Sequence, residues 1–196
     1  MPVVIATSSI VSQAFRFMER DPISSLGDDS EEALAAAEQY PLALGHCLER
    51  NDWSFASTRR SLSASAADPF PDPVLPYLYG LPGDVVRLRE VGPQYTRWRL
   101  DRDGLRANVA APLPVRYTGQ IDNEAVLPAT FQTAVALRLA WLLGPRYLVT
   151  ASKLQDIGEQ WKLTLKDAMR DDARSASGAR YDDLPDQGYW ATEIRL

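Results

Sequence analysis

Apolar residues at Ile10, Val11, Ala14, Phe15, Phe17 and Met18 recur at helical spacing, which predicts a first helix ending before Asp21-Pro22. Asp29-Ser30-Glu31-Glu32 has the form of a capping box, with the Asp29 oxygen taking a backbone N–H and Glu32 reaching back. It opens a second helix from about Ser30 to about Asp52. Pro41 lies inside that helix and predicts a kink or two abutting helices.

Between Val85 and Gly119 the period falls to two. Val86 and Leu88 oppose Arg87 and Arg89; Trp98 and Leu100 oppose Arg97 and Arg99; Val115 and Tyr117 oppose Arg116 and Thr118. The pattern predicts a half-buried antiparallel sheet of three or four strands, turned at Gly92-Pro93 and by a tight hairpin at Asp101–Gly104 that leads into Leu105–Val109. So small a sheet is marginal alone and must pack on helices, on a further strand from the preceding loop, or on another subunit. After Leu127-Pro128 the helical period returns. Phe131, Val135, Leu137, Leu139, Trp141, Leu142 and Leu143 cover most of a helix circumference, which predicts deep burial and a stop or bend at Gly144-Pro145. A last helix, from near Ser152 to near Ala173, carries Leu154, Ile157, Trp161, Leu165, Ala168 and Met169 as one stripe and Lys153, Glu159, Lys162, Lys166 and Arg170 on the other face. Periodicity ends near Ser175, and the residues beyond it are expected to gain order from a partner outside the protomer or by folding back on the chain's own helices.

The elements predict an α+β fold: a mainly α-helical bundle of about four helices with an inserted small antiparallel β-lobe. Residues 1–60 and 127–175 form the expected helical core, 61–126 the proline loop and β-lobe, and 176–196 a C-terminal tail. Between Trp53-Ser54-Phe55-Ala56 and the first expected strand lies a crossing of roughly twenty residues with Pro69, Pro71, Pro73 and Pro76, too long for an ordinary connection in a compact domain. Its prolines favour an extended conformation that loses little entropy on lying across a neighbour. Phe70, Leu75, Tyr77 and Tyr79 are its candidate inter-subunit contacts, although Trp53, Phe55, Tyr77 and Tyr79 also suit a core.

Composition narrows the chemistry. In 196 residues, 45% hydrophobic and 24% charged, there is material for one core plus a small lobe but hardly for two full domains. A formal net charge of -5 argues against a main task of gripping nucleic acid. Cys47 is the only cysteine and His46 the only histidine, so neither an intrachain disulfide nor a zinc cage is available from one chain, and His46, Cys47 and Glu49 are expected in structural roles. The pairs Asp28-Asp29, Asp171-Asp172 and Asp182-Asp183 are expected as solvated charge at a helix cap, a helix end and the tail. Neither a glycine-rich phosphate loop nor a dinucleotide fingerprint occurs. No catalytic residue, metal or cofactor is expected, and no run approaches the roughly eighteen apolar residues that span a bilayer.

Two constellations remain. Arg87, Arg89, Arg97, Arg99 and Arg116 on one sheet face need acidic neighbours within the chain, an acidic surface on another subunit, or phosphate to offset them. In the tail, Tyr181, Leu184, Tyr189, Trp190, Ile194 and Leu196 lie among Asp182, Asp183, Asp186 and Glu193, the aromatic composition of a binding hot spot.

Pro22-Ile23-Ser24-Ser25-Leu26 after the first helix, Trp53-Ser54-Phe55-Ala56 after the second, and Tyr77-x-Tyr79-x-Leu81-Pro82-x-Asp84-x-x-Arg87-Leu88 at the start of the sheet form an ordered series. Val115-Arg116-Tyr117 and Leu127-Pro128-Ala129-x-Phe131 continue it. Over about residues 10 to 175 this series resembles the tail tubular protein A and head-tail adaptor family of short-tailed phages, prophages and gene transfer agents. The resemblance implies a non-enzymatic virion component: a connector ring, usually of twelve copies, that binds the portal protein, receives a tail or nozzle protein and lets double-stranded DNA pass at the head-tail junction. It implies assembly in the bacterial host cytoplasm, and portal binding through a C-terminal extension, which here is the tail. The rival expectations are a soluble nucleic-acid-binding or regulatory module using the arginine face and a hydrolase accessory with carboxylate chemistry at Asp171 or Asp172.

Overall fold

A computed structural model describes residues 8–65, 71–148 and 150–175. The elements follow the order α1 (Ser9–Phe17), α2 (Glu31–Glu49), a 3-10 turn (Ser54–Ala56), β1 (Ser57–Leu62), β2 (Tyr77–Tyr79), β3 (Val85–Val91), β4 (Trp98–Asp101), β5 (Gly104–Ala107), β6 (Leu113–Gly119), α3 (Ala129–Tyr147) and α4 (Ala151–Ser175). This is an α+β fold, four helices with a β insertion between α2 and α3.

The helices form where apolar spacing and caps coincide. Ser8 caps α1, its Oγ accepting from Val11 N–H, and Ile10, Val11, Ala14 and Phe15 are buried. For α2 the cap is Ser30, whose side chain accepts from Ala33 N–H, one residue later than the Asp29 expected from the capping box. Asp28, of the expected solvated pair, accepts instead from Ser25 N–H at 3.0 Å. Helix α2 runs through Pro41 as one element, and that residue lies on its exposed side. Likewise α3 continues past Gly144-Pro145 to Tyr147, and a Cβ at residue 144 would come within 2.5 Å of the Leu154 side chain from α4. Glycine there lets α4 close on α3.

The helical core gathers Phe15 from α1, Leu44, Cys47 and Leu48 from α2, Phe131, Leu137 and Leu139 from α3, and Ile157 and Leu165 from α4. Trp53 is fully buried in it, stacked edge-on to Phe131 at 4.8 Å, with its indole N–H on the Cys47 carbonyl at 3.0 Å. Phe55 meets the same ring at 5.0 Å. These aromatics are therefore core. Full burial of a side chain of this kind contributes roughly 1.5–3 kcal/mol.

The β region departs from expectation. It holds two three-stranded antiparallel sheets, β1-β6-β3 and β2-β5-β4, where a single sheet was expected. Two strands, β1 and β2, fall in the segment expected as helix end and loop, so the insertion begins at Ser57 rather than residue 61. Leu113, Val115 and Tyr117 on one face of β6 join Tyr79, Leu105 and Ala107 of the other sheet in a second apolar cluster, so the two sheets form a small core of their own. The hairpin at Asp101–Gly104 forms as expected, with Asp101 opposite Gly104. Gly104 sits at φ +143, and a Cβ there would lie 2.4 Å from the Tyr79 carbonyl oxygen, so the turn admits no side chain.

Two partly buried polar junctions tie the helices. Glu124 accepts from Tyr40 Oη at 2.6 Å and from Ser8 Oγ, joining α2 and the cap of α1 to the approach of α3. Burial, with the Glu124 carboxylate beside it, raises the Tyr40 phenol above its ordinary value. Asp172, expected as solvated charge, is instead buried; it accepts from Ser54 N–H at 3.1 and 3.2 Å and from Ser54 Oγ, fastening α4 to the turn that carries Trp53. Its neighbour Asp171 accepts from Thr130 Oγ1 at 2.8 Å at a half-buried position.

Replacing Asp172 by Ala removes the hydrogen bonds that Ser54 makes to a buried carboxylate and is expected to cost about 1.5–3 kcal/mol. Asp171→Ala should cost under about 1 kcal/mol, since water can replace its partner. Urea midpoints with unchanged m-values measure both; equal costs would contradict the assignment.

Candidate functional site

The five arginines expected on one face divide between the two sheets. Alternation sets which way a side chain points along its strand but not which strands pair, so Arg87, Arg89 and Arg116 lie in β1-β6-β3 while Arg99 lies in β2-β5-β4 and Arg97 just before it.

The first three close on the C-terminal end of α2. Arg89 Nε donates to Thr118 Oγ1 at 2.8 Å, and its Nη2 donates to the Asn51 carbonyl and, at 3.5 Å each, to the Leu48 and Glu49 carbonyls. Arg87 Nη1 donates to the Glu49 carbonyl at 3.1 Å. The last carbonyls of a helix have no partner within it and form its negative end, so guanidinium groups suit this position. Arg116 pairs with Asp52 at 2.7 Å and Glu90 at 2.6 Å. Its hydrogen bond holds the Glu90 carboxyl below the usual range against the opposing effect of burial. Register shifts in β3 between Val85 and Arg87 and between Leu88 and Glu90 bring Arg87, Arg89 and Glu90 to this junction. In the other sheet Arg99 pairs with Asp101 at 2.7 Å and Asp72 at 3.1 Å. Acidic neighbours within the chain thus face Arg89, Arg99 and Arg116.

The expected loop contacts also separate. Leu75 is buried, and Tyr79 is fully buried with its hydroxyl on the Val109 carbonyl at 2.6 Å; both belong to the interior. Tyr77 is exposed at the start of β2. Phe70 lies outside the described residues, as do Tyr181, Leu184, Tyr189, Trp190, Ile194 and Leu196. Trp98 and Leu100 were expected on a buried face. They stand opposite Ala107 and Leu105, which are fully buried, yet are themselves 45% and 55% exposed because β4 is an edge strand that reaches past the second core. Tyr95, three residues upstream, is 88% exposed at φ +73.

A third cluster was not anticipated. Arg138 of α3 lies over Trp141 at 4.6 Å and over Trp161 of α4 at 4.9 Å. Trp161 meets the His46 ring at 5.4 Å. Arg50 approaches His46 Nε2 at 2.8 Å. An arginine only donates, so Nε2 accepts and the ring proton sits on Nδ1. Burial, then the charges of Arg138 and Arg50, hold His46 below its ordinary value. Burial pushes the Cys47 thiol up to about 11. Among the described residues, three buried side-chain polar atoms lack a hydrogen-bond partner: His46 Nδ1, Arg138 Nε and Trp161 Nε1, all in this cluster. Beside it opens a cleft of about 400 Å³ lined by Arg138, Trp141, Gly158, Glu159, Trp161 and Lys162, among others. A Cβ at residue 158 would meet the Trp141 indole nitrogen at 3.0 Å, so glycine permits that approach. The pairing of Arg138 with Trp141, one turn apart, was the available signal in the sequence; Trp161 arrives only through tertiary packing.

Among the described residues, no group of three or more His, Cys, Asp or Glu side chains could hold a metal ion, and no helix is long and apolar enough to cross a membrane.

The Glu90 pairing has a pH signature. Its folded carboxyl titrates below the ordinary value of about 4.5, so the stability it contributes is present above that value and is lost as pH falls through the depressed one. Arg116→Met is therefore expected to flatten the stability curve below about pH 4.5, leaving the part due to carboxylates paired elsewhere. Urea midpoints at neutral and acid pH measure the effect, and an unchanged acid slope would contradict the pairing. No protein-family model matches this chain, and no curated protein matches it significantly.

Proposed function

We propose that the chain is a structural head-tail adaptor of a phage, prophage or gene-transfer-agent particle, acting through contacts rather than catalysis. In this reading copies form a ring under the portal protein, the ring receives a tail or nozzle protein, and double-stranded DNA passes through it. The observation that carries the proposal is the edge of the β2-β5-β4 sheet: Trp98 and Leu100 continue an apolar face whose centre is buried, and they remain open to solvent beside Tyr95. An exposed edge strand bearing large apolar residues invites pairing with another chain, and natural monomers usually blunt such edges. The resemblance in element order, with a β-lobe inserted between two pairs of helices, supports the same reading. The pairing agrees, since Arg99 and Arg116 are each held by two carboxylates, Asp72 with Asp101 and Asp52 with Glu90, and so are engaged within the chain rather than by passing DNA.

A ring multiplies each contact, so a modest loss per copy becomes a large loss of occupancy. The double variant Trp98→Ser/Leu100→Ser, with circular dichroism matching the parent, is expected to lower adaptor copies per purified particle by about tenfold, and deletion after Ala179 is expected to do the same. Quantitative mass spectrometry of the particles reads both. Full occupancy by both variants, or absence of the unaltered protein from the particles, would overturn the proposal.

A further inference from the structure

Arg138 combines features that rarely coexist unless something completes them. Its guanidinium is partly buried between two tryptophans, and its Nε is buried without a partner. No carboxylate pairs with it among the described residues. Burial, with Arg50 nearby, lowers its affinity for its proton relative to a free arginine, so the charge sits in a medium that favours an incoming anion. The acid lining the cleft, Glu159, accepts instead from Gln155 Nε2 at 3.1 Å. Lys162 adds a second positive charge at the wall, and Trp141, 37% exposed, offers an open aromatic face. Tryptophan and arginine in a half-enclosed cleft are the usual composition of a contact that carries most of a binding energy. The chemistry it selects is a carboxylate next to an aromatic ring.

The chain carries such a segment. Residues 176–196 contain Tyr181-Asp182-Asp183-Leu184 and, further on, Asp186, Tyr189 and Trp190, with four acids against Arg180 and Arg195. Length allows the return. Helix α4 ends at Ser175, thirteen residues past Lys162, or about 20 Å along the helix axis. The seven residues from Ser175 to Asp182 span up to roughly 23 Å when extended.

We propose that the cleft of Arg138, Trp141, Trp161 and Lys162 is the seat of this chain's own C-terminal segment, with Asp182 or Asp183 on the Arg138 guanidinium and the Tyr181 ring against the tryptophans. The proposal does not depend on the assembly reading. If both hold, docking keeps the tail aromatics on the protomer until a stronger partner competes for them.

Carbodiimide coupling in the full chain tests it, because a seated carboxylate lies next to the Lys162 amine. Equal amounts of unlabelled and isotopically heavy protein are mixed, coupled at low concentration, digested and read by mass spectrometry. The expected product is an amide between Lys162 and Asp182 or Asp183 within one chain. It should exceed any amide that joins Lys153 or Lys166 to Asp182 or Asp183, and should fall about fivefold or more in Arg138→Gln, a loss of about 1 kcal/mol in docking. Should Arg138→Gln fail to fold, Trp141→Ala, which removes the partly exposed ring of the wall, is expected to lower the yield in the same direction. The proposal is overturned by absence of the Lys162 adduct, by equal coupling of Asp182 or Asp183 to all three lysines, by a product joining heavy to light chains, or by a yield that folded variants leave unchanged.

Discussion

The C-terminal end of α2 is where the helical body and the β insertion become one molecule. A helix ends with carbonyls that its own backbone cannot satisfy, and here those of Leu48 and Glu49, with that of Asn51 just beyond, receive guanidinium donors from β3. Asp52, immediately after, takes Arg116 from β6. The same few residues therefore end the helix, orient the first sheet and neutralise its arginines. Hydrogen bonds to charged groups contribute about 1.5–3 kcal/mol each when shielded from water and less where exposed. The junction is partly open, so its weight lies in direction as much as in energy. Trp53, anchored on the Cys47 carbonyl, follows at once and leads the chain back into the helical core.

Much of this plan was legible because local pattern and tertiary need agree. Helices α1 and α4 show a single apolar stripe, and the Asp101–Gly104 turn has a residue type that only its conformation demands. What was not legible involves pairing at a distance. Strand β1, Ser57–Leu62, buries only Leu62 at its end and carries Arg59 and Arg60 outward, so it has no alternation to detect and forms because β6 supplies the ladder. Strand β2 has three residues and follows a proline-rich stretch. The division into two sheets is a matter of which strands pair, on which a period of two is silent. Asp172 illustrates the same limit: a carboxylate at a helix end is normally solvated, and only the arrival of Ser54, 118 residues away in sequence, makes it a buried acceptor. The cap of α2 differs more mildly, since Ser30 and Asp29 offer similar chemistry one residue apart.

The candidate surfaces follow the same division. Leu75 and Tyr79 proved to be interior because β2 joins a sheet, whereas Trp98 and Leu100 proved to be exterior because β4 lies at an edge. The Arg138 cluster arises where two nearly all-apolar helix faces meet and leave one long cation between aromatic rings. Elsewhere among the described residues buried side-chain polar atoms have partners; the concentration of unmet donors at that one place distinguishes it from ordinary packing.

If the arginine junction makes helices and sheets a single cooperative unit, the amides of the last turn of α2 and those of β3 and β6 should open together. Native-state hydrogen exchange with Arg89→Met measures this directly. One common opening free energy is expected for these segments in the unaltered protein, and in the variant a split in which β3 and β6 lose protection while the α1–α3 contacts keep theirs. Separate opening energies already present in the unaltered protein, or a variant whose protection pattern is unchanged, would contradict it.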